Sequence, residues 1–223
     1  MKAVIFDFNG TLYNDTNLHR TAWHSYLAER FGLELSMDEI DRVCIGPPNE
    51  AIFRTLIDKN MPMADIISFS REKEAMYRRA ALATEETRRL IDGVPEMLDM
   101  LTRRGVPFAL ATASLMDNVE FYLNDLGLGK WFTLDRVVYE DGTRPGKPDP
   151  AFYLEAARRL NVSPADCIIV EDSRTGFRAA KAAGAGRIIA MDTTTPVEML
   201  RAMPEIYAVI HDYYGFERFL ENT

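Results

Sequence analysis

Asp7, Lys147, Glu171 and Asp172 are the residues of this sequence whose type and setting most suggest chemistry. Asp7 follows the apolar run Val4-Ile5-Phe6 and precedes Phe8-Asn9-Gly10-Thr11, so a carboxylate ends what reads as a buried strand. That placement is costly unless hydrogen bonds, a cation or a reaction offset it. Glu171 and Asp172 close a second apolar run, Ile168-Ile169-Val170. If the two runs are neighbouring strands, three carboxylates converge and raise one another's pKa unless a cation lies between them. Oxygen ligands without His or Cys suit a hard ion, with Mg²⁺ the first choice. The competing reading is that Glu171 and Asp172 merely cap a helix beginning near Ser173.

Thr112 ends a further apolar run, Phe108-Ala109-Leu110-Ala111. Its hydroxyl, followed by a fresh helix N-terminus with the backbone N–H groups of Ala113 and Ser114, can donate to phosphate oxygens. Lys147 lies in Gly146-Lys147-Pro148-Asp149-Pro150, where two prolines stiffen the approach to a helix starting near Asp149. A lysine held in such a frame suits an anion, although a solvated loop lysine is the simpler alternative. Together these residues describe phosphoryl transfer. Asp7 attacks phosphorus as nucleophile, a cation with Lys147 and Thr112 holds the charged oxygens, and water releases the aspartyl-phosphate.

The elements that must position these groups follow from hydrophobic pattern. Lys2 to Phe6, Pro107 to Ala111, Ile168 to Val170, Arg187 to Met191 and Ala208 to Ile210 read as short buried strands. Between them run helical stripes: Val94, Leu98 and Leu101; Val119, Leu123 and Leu126; Phe152, Ala156 and Leu160. Apolar strands alternating with amphipathic helices predict an α/β fold with a parallel sheet covered on both faces. An open parallel sheet binds its ligand beyond the carboxyl ends of its strands, where Asp7, Thr112, Glu171, Asp172 and Asp192 fall. From about Asn14 to Arg89 the strand signal stops. Leu18, Ala22, Tyr26 and Leu27 form one helical stripe, with further helices near Met37 to Val43, Glu50 to Asp58 and Asp65 to Ala83, which predicts an inserted helical bundle.

With 223 residues, 47% hydrophobic and 27% charged, the chain has the composition of a soluble globular protein. A formal charge of -8 disfavours nucleic acid as a partner. No apolar run approaches the roughly 20 residues of a bilayer span, and the N-terminus has no signal-peptide pattern. Cys44 and Cys167 are far apart and read as free thiols of a cytoplasmic protein.

Asp7-Phe8-Asn9-Gly10-Thr11, Thr112, Lys147 within Gly146-Lys147-Pro148, and Glu171-Asp172-Ser173 resemble, in order and over essentially the whole chain, the four motifs of the haloacid dehalogenase superfamily. Within it the chain looks most like the phosphatase and beta-phosphoglucomutase branch. The resemblance implies a Rossmann-like core over residues 1–13 and 90–223 with an inserted all-helical cap over 14–89. It also implies Mg²⁺ held by the Asp7 side chain, the Asn9 backbone carbonyl and Asp172, with Glu171 close by. Most family phosphatases and mutases carry an Asp at the position of Asn9, where it protonates the leaving group and helps activate water. An amide has no titratable proton for either task, and losing such help costs roughly 10² to 10⁴ in rate.

His19 matches a cap histidine that contacts substrate in the mutase-like members, and Lys73 matches a cap lysine that reaches it. On helical periodicity alone Lys73 is a solvated lysine. Asn49 stands where the mutase presents an arginine to a second phosphate. Trp23, Tyr26, Phe31 and Phe53 read as cap core, and His211-Asp212 as a turn. The expectation is a Mg²⁺-dependent phosphatase acting on a small phosphorylated metabolite, with Asp7, Asn9, Thr112 and Lys147 in catalysis and His19, Lys73, Asn49, Ala113 and Ser114 binding substrate. It is expected to act as a monomer or weak homodimer. The alternatives are a beta-phosphoglucomutase-like phosphotransferase and a catalytically weak metabolite-binding protein.

Overall fold

The apolar runs form strands of one parallel six-stranded sheet in the computed structural model, which describes residues 1–221. The strands are β1 (Ala3–Phe6), β2 (Phe108–Leu115), β3 (Val137–Glu140), β4 (Cys167–Glu171), β5 (Arg187–Met191) and β6 (Ala208–Ile210). Their spatial order is β3-β2-β1-β4-β5-β6. The chain builds outward from β1 on one side and then, starting at β4, on the other, so the order reverses between β1 and β4. Ligands of open parallel sheets bind in the crevice at such a reversal.

Register fixes what meets there. Val4, Ile5 and Phe6 pair with Phe108, Ala109 and Leu110 of β2. Ala3 to Phe6 pair with Cys167 to Val170 of β4. One residue further on, Asp7 therefore lies beside Glu171, and its N–H donates to the Val170 carbonyl at 3.0 Å. The condition on which three carboxylates would converge is met.

The chain divides into two compact units, Met1–Asn14 together with Arg89 onward, and Asp15–Arg88. The first holds the sheet and helices between its strands. One side of the sheet has a core of Ile5, Ala109, Ile169, Phe152, Ala156 and Phe177, among others. The second holds four helices, α1 (Thr16–Phe31), α2 (Met37–Cys44), α3 (Asn49–Leu56) and α4 (Met63–Ala81). Ser36 and Glu39 form a reciprocal capping box at the start of α2. Trp23, Tyr26 and Phe53 are buried in this unit's core, and Phe31 packs against it, as expected for structural aromatics.

The remaining helices are α5 (Val94–Arg103), α6 (Met116–Asn124), α7 (Ala151–Arg159), α8 (Arg174–Ala182) and α9 (Val197–Arg201). Three expectations change. Strand β3 was not marked by the hydrophobic pattern. Strand β2 runs on to Leu115, with a register slip against β3 between Ala111 and Leu115, so Thr112, Ala113 and Ser114 belong to the strand's irregular end and not to a helix N-terminus. On α6 the buried face is Asn118, Val119, Phe121 and Tyr122, whereas Leu123 and Leu126 are half-buried. Among the described residues, no helix is long and apolar enough to cross a membrane.

Candidate active site

Asp7 is carried just past the end of central strand β1 and is buried. Lys147 donates to its Oδ1 at 2.6 Å and to Glu171 Oε1 at 2.7 Å. The lysine is itself buried, with its ammonium 4.8 Å from the centre of the Tyr153 ring. Burial works against its charge, but Asp7 and Glu171 outweigh that and hold its pKa well above the ordinary lysine value. Lys147 is thus a framed counter-charge, and the solvated-loop alternative does not describe it.

Glu171 is tied down on every side. The Tyr153 hydroxyl donates to Oε1 at 3.0 Å, and the backbone N–H groups of Asp172 and Ser173 donate to Oε2 at 2.8 and 2.7 Å. Burial pushes its carboxyl up, yet Lys147, the Ser173 N–H and the Tyr153 hydroxyl bring it below its ordinary value. The cap of α8 is Ser173, whose hydroxyl accepts from Gly176 N–H at 3.1 Å, so Glu171 and Asp172 are not the capping residues. A Cβ at Gly176 would fall on the Glu171 carboxylate, so the helix approaches this acid as closely as glycine allows.

Asp172 has a different setting. Thr11 donates to its Oδ1 at 3.3 Å. Burial, with the charges of Glu171 and Asp7, raises its pKa well above the ordinary aspartate value. Gly10, at φ +72°, leaves room for its carboxylate, which a Cβ there would strike. Asp7, Glu171 and Asp172 each offer an oxygen, all within 4.8 Å of one another. A buried all-oxygen donor set, with one acid pushed toward its protonated form by two others, fits a hard divalent cation.

Beside this cluster is a ring of neutral polar groups. Thr112 Oγ1 donates to Ser114 Oγ at 3.1 Å, and Ser114 Oγ donates to Asn9 Oδ1 at 3.0 Å. Asn9 Nδ2 donates to the Tyr122 hydroxyl at 3.1 Å, and that hydroxyl lies 2.8 Å from Ser114 Oγ. Ala113, between Thr112 and Ser114, is exposed. The structure therefore brings together Asp7, Asn9, Thr112, Ser114, Lys147, Glu171 and Asp172. Sequence reasoning missed Tyr122 and Tyr153. Both sit on buried helix faces where an aromatic reads as core, and their hydroxyl partners are distant in sequence.

His19, Lys73 and Asn49 belong to the helical unit, which gathers them into a cluster of its own. Lys73 is buried, not solvated: it pairs with Glu74, lies 3.3 Å from His19 Nδ1, and sits 4.9 Å from the centre of the Trp23 ring. A lysine has no lone pair to offer, so Nδ1 of His19 must accept. Its Nε2 faces Asp15 at 3.4 Å, and its ring stacks on Tyr77 with centroids 4.0 Å apart. Asn49 donates to Glu74 at 3.3 Å. Elsewhere, His211 pairs with Asp192 and not with its neighbour Asp212, which accepts from Tyr214 N–H at 2.9 Å. Arg174 lies against the Met199 sulfur at 3.8 Å.

Comparison with known proteins places the chain in a family. A family model described as haloacid dehalogenase-like hydrolase matches residues 1–184. A phosphorylated carbohydrates phosphatase of Thermotoga maritima is 32% identical over 188 residues, which is 84% of each chain. A beta-phosphoglucomutase of Bacillus subtilis is 30% identical over 82% of this chain and 80% of its own. The crystal structure of a HAD hydrolase, family IA, variant 3 from Entamoeba histolytica superposes with a TM-score of 0.91 at 32% identity, over 99% of this chain and 98% of that one. The chain belongs to the haloacid dehalogenase-like hydrolases, in their phosphatase and beta-phosphoglucomutase branch, and is an enzyme of the phosphoric monoester hydrolase class.

Proposed function

We propose that this enzyme hydrolyses a small phosphomonoester through an aspartyl-phosphate on Asp7, with Mg²⁺ as its metal. The observation that carries the reading is the buried nucleophile candidate at the reversal of strand order, clustered with Glu171 and Asp172 and bridged to Glu171 by Lys147. Asp7, Asp172 and the Asn9 backbone carbonyl would hold the Mg²⁺, with Glu171 beside it. When bound, the ion supplies positive charge against the phosphoryl oxygens and the three acids.

An Asp7 oxygen forms the bond to phosphorus as the bond from phosphorus to the leaving oxygen breaks. Lys147 and the Thr112 hydroxyl hold the equatorial oxygens, helped by the backbone N–H groups of Ala113 and Ser114. The Thr112 proton, which rests on Ser114 in this structure, turns to the phosphoryl group when substrate binds. Water then attacks the aspartyl-phosphate, releasing phosphate and restoring Asp7. Asn9 offers no proton, so the leaving oxygen takes one from water, and leaving groups of low pKa react fastest.

The relative named for phosphorylated carbohydrates supports a sugar or polyol monophosphate, with His19, Lys73 and Asn49 contacting the part beyond the phosphate. The named beta-phosphoglucomutase favours a second reading, phosphotransfer to a sugar hydroxyl. Asn49, neutral and bonded to Glu74, weighs against it, because a second phosphate would meet no charge at that position. Two free buried thiols support a reducing, cytoplasmic setting. A monomer or weak homodimer is the assembly proposed.

The test is phosphate release from p-nitrophenyl phosphate and a panel of sugar monophosphates, with and without Mg²⁺. Asp7→Asn is expected to abolish turnover. Persistent Mg²⁺-dependent hydrolysis in that variant would remove Asp7 as nucleophile, and negligible release by the wild type would leave a metabolite-binding protein.

A further inference from the structure

We propose that Tyr122 is a positioning residue which, acting through Asn9 and Ser114, fixes the nucleophile loop against the phosphate-binding end of β2. The inference rests on the phosphatase reading for its catalytic consequence, and on geometry alone for the tie itself.

Backbone pairing does not do this job. The β1–β2 ladder ends at Phe6 with Leu110, before Asn9 on one side and Thr112 to Ser114 on the other. On the far edge of β2 the register slips across these same residues. Past the last ladder pair, the two loops meet through the side chains of Asn9, Thr112, Ser114 and Tyr122.

Each side chain of that set donates to another member of it. Thr112 gives its proton to Ser114, Ser114 gives its own to the Asn9 carbonyl, and the Asn9 amide donates to the Tyr122 oxygen. The Tyr122 hydroxyl lies 2.8 Å from Ser114 Oγ and 3.4 Å from Asn9 Oδ1, so its proton stays within the set. An amide at position 9 suits this ring because it accepts on one atom and donates from the other. Asn9 is thereby engaged as a cross-link between the loops.

Tyr122 is the ring's fixed point. It comes from α6, is fully buried, and stacks on Phe8, the residue between Asp7 and Asn9, with centroids 3.7 Å apart and planes at 26°. Its ring and its hydroxyl therefore grip the nucleophile loop at two consecutive residues. A hydroxyl serving only to satisfy itself in the core would not need to join both loops. Misplacing reacting groups by about 1 Å can cost on the order of 10²-fold in rate, so a partial loosening should be visible in kcat.

The experiment compares Tyr122→Phe, which keeps the stacked ring and removes the oxygen, in the wild-type and Asn9→Ala backgrounds. Expected is a kcat loss of roughly tenfold with KM little changed in the wild-type background, and less than about twofold in Asn9→Ala, since interacting groups are non-additive. Equal loss in both backgrounds, or none in the first, overturns the proposal. Ser114→Ala in the same two backgrounds reads the ring from its other side if Tyr122→Phe folds poorly. Proton exchange of the Asn9 side-chain amide, followed by NMR, needs no turnover. It should quicken at least about tenfold in Tyr122→Phe as the bonded amide opens. Unchanged exchange overturns the tie, whereas an inactive wild type with quickened exchange retains it and sinks only the phosphatase reading.

Discussion

Lys147 is the counter-charge on which two buried carboxylates depend, at 2.6 Å from Asp7 and 2.7 Å from Glu171. Removing one partner of a buried ionic group leaves the other charged and unpaired, at a cost of roughly 3–5 kcal/mol. Lys147→Met in metal-free protein is therefore expected to lower the unfolding free energy by an amount in that range, read as a lower urea midpoint at unchanged slope and quite apart from any effect on turnover. An unchanged midpoint would mean the acids take up protons without strain. At this scale the sequence was legible where a carboxylate ended an apolar run, as at Asp7, Glu171 and Asp172, and where prolines framed a lysine, as at Lys147. It was illegible where chemistry sits on an aromatic ring. Tyr122 and Tyr153 lie at helical spacing among apolar neighbours, and nothing local shows that their hydroxyls reach Asn9 and Glu171. Lys73 misled in the opposite sense, because its partner His19 is more than fifty residues away and one helix's pattern cannot show it.

Among the elements, five of the six strands could be read from the sequence, since a strand covered on both faces is nearly all apolar. Strand β3 is one of the two edge strands, with Val137 and Val138 buried and Tyr139 and Glu140 half-buried, so its apolar signal is only two residues long. Helix α7 offers a charge-dependent test. Glu155 accepts from Arg158 at 2.7 and 2.8 Å and from Arg159 at 2.8 Å, and these bonds lower its pKa from 4.5 to about 2. A carboxyl with a lowered folded-state pKa stabilises the fold above its unfolded value. That contribution is lost as pH falls from about 4.5 toward 2. Glu155→Gln should thus be less stable than wild type at pH 7, by at most about 1 kcal/mol because solvent screens the group. The difference should vanish near pH 2 in paired denaturation curves.

For the molecule as a whole, the seventy-odd residues without strand signal marked the insertion, because helical stripes alone cannot extend a sheet. The structure groups Asp15–Arg88 as a unit with its own core, and the rest of the described chain as another. Each unit contains one cysteine: Cys44 at the end of α2 and Cys167 at the start of β4, both free and buried. Burial pushes each thiol up to about 11, so both are protonated and sealed at neutral pH. The pair therefore acts as two built-in clocks, each started only when its own unit opens. Smaller folds bury a lesser share of their surface and open more readily. Under mild urea, iodoacetamide should alkylate Cys44 before Cys167, and peptide mass spectrometry against time would show whether the two units keep separate time or a common one.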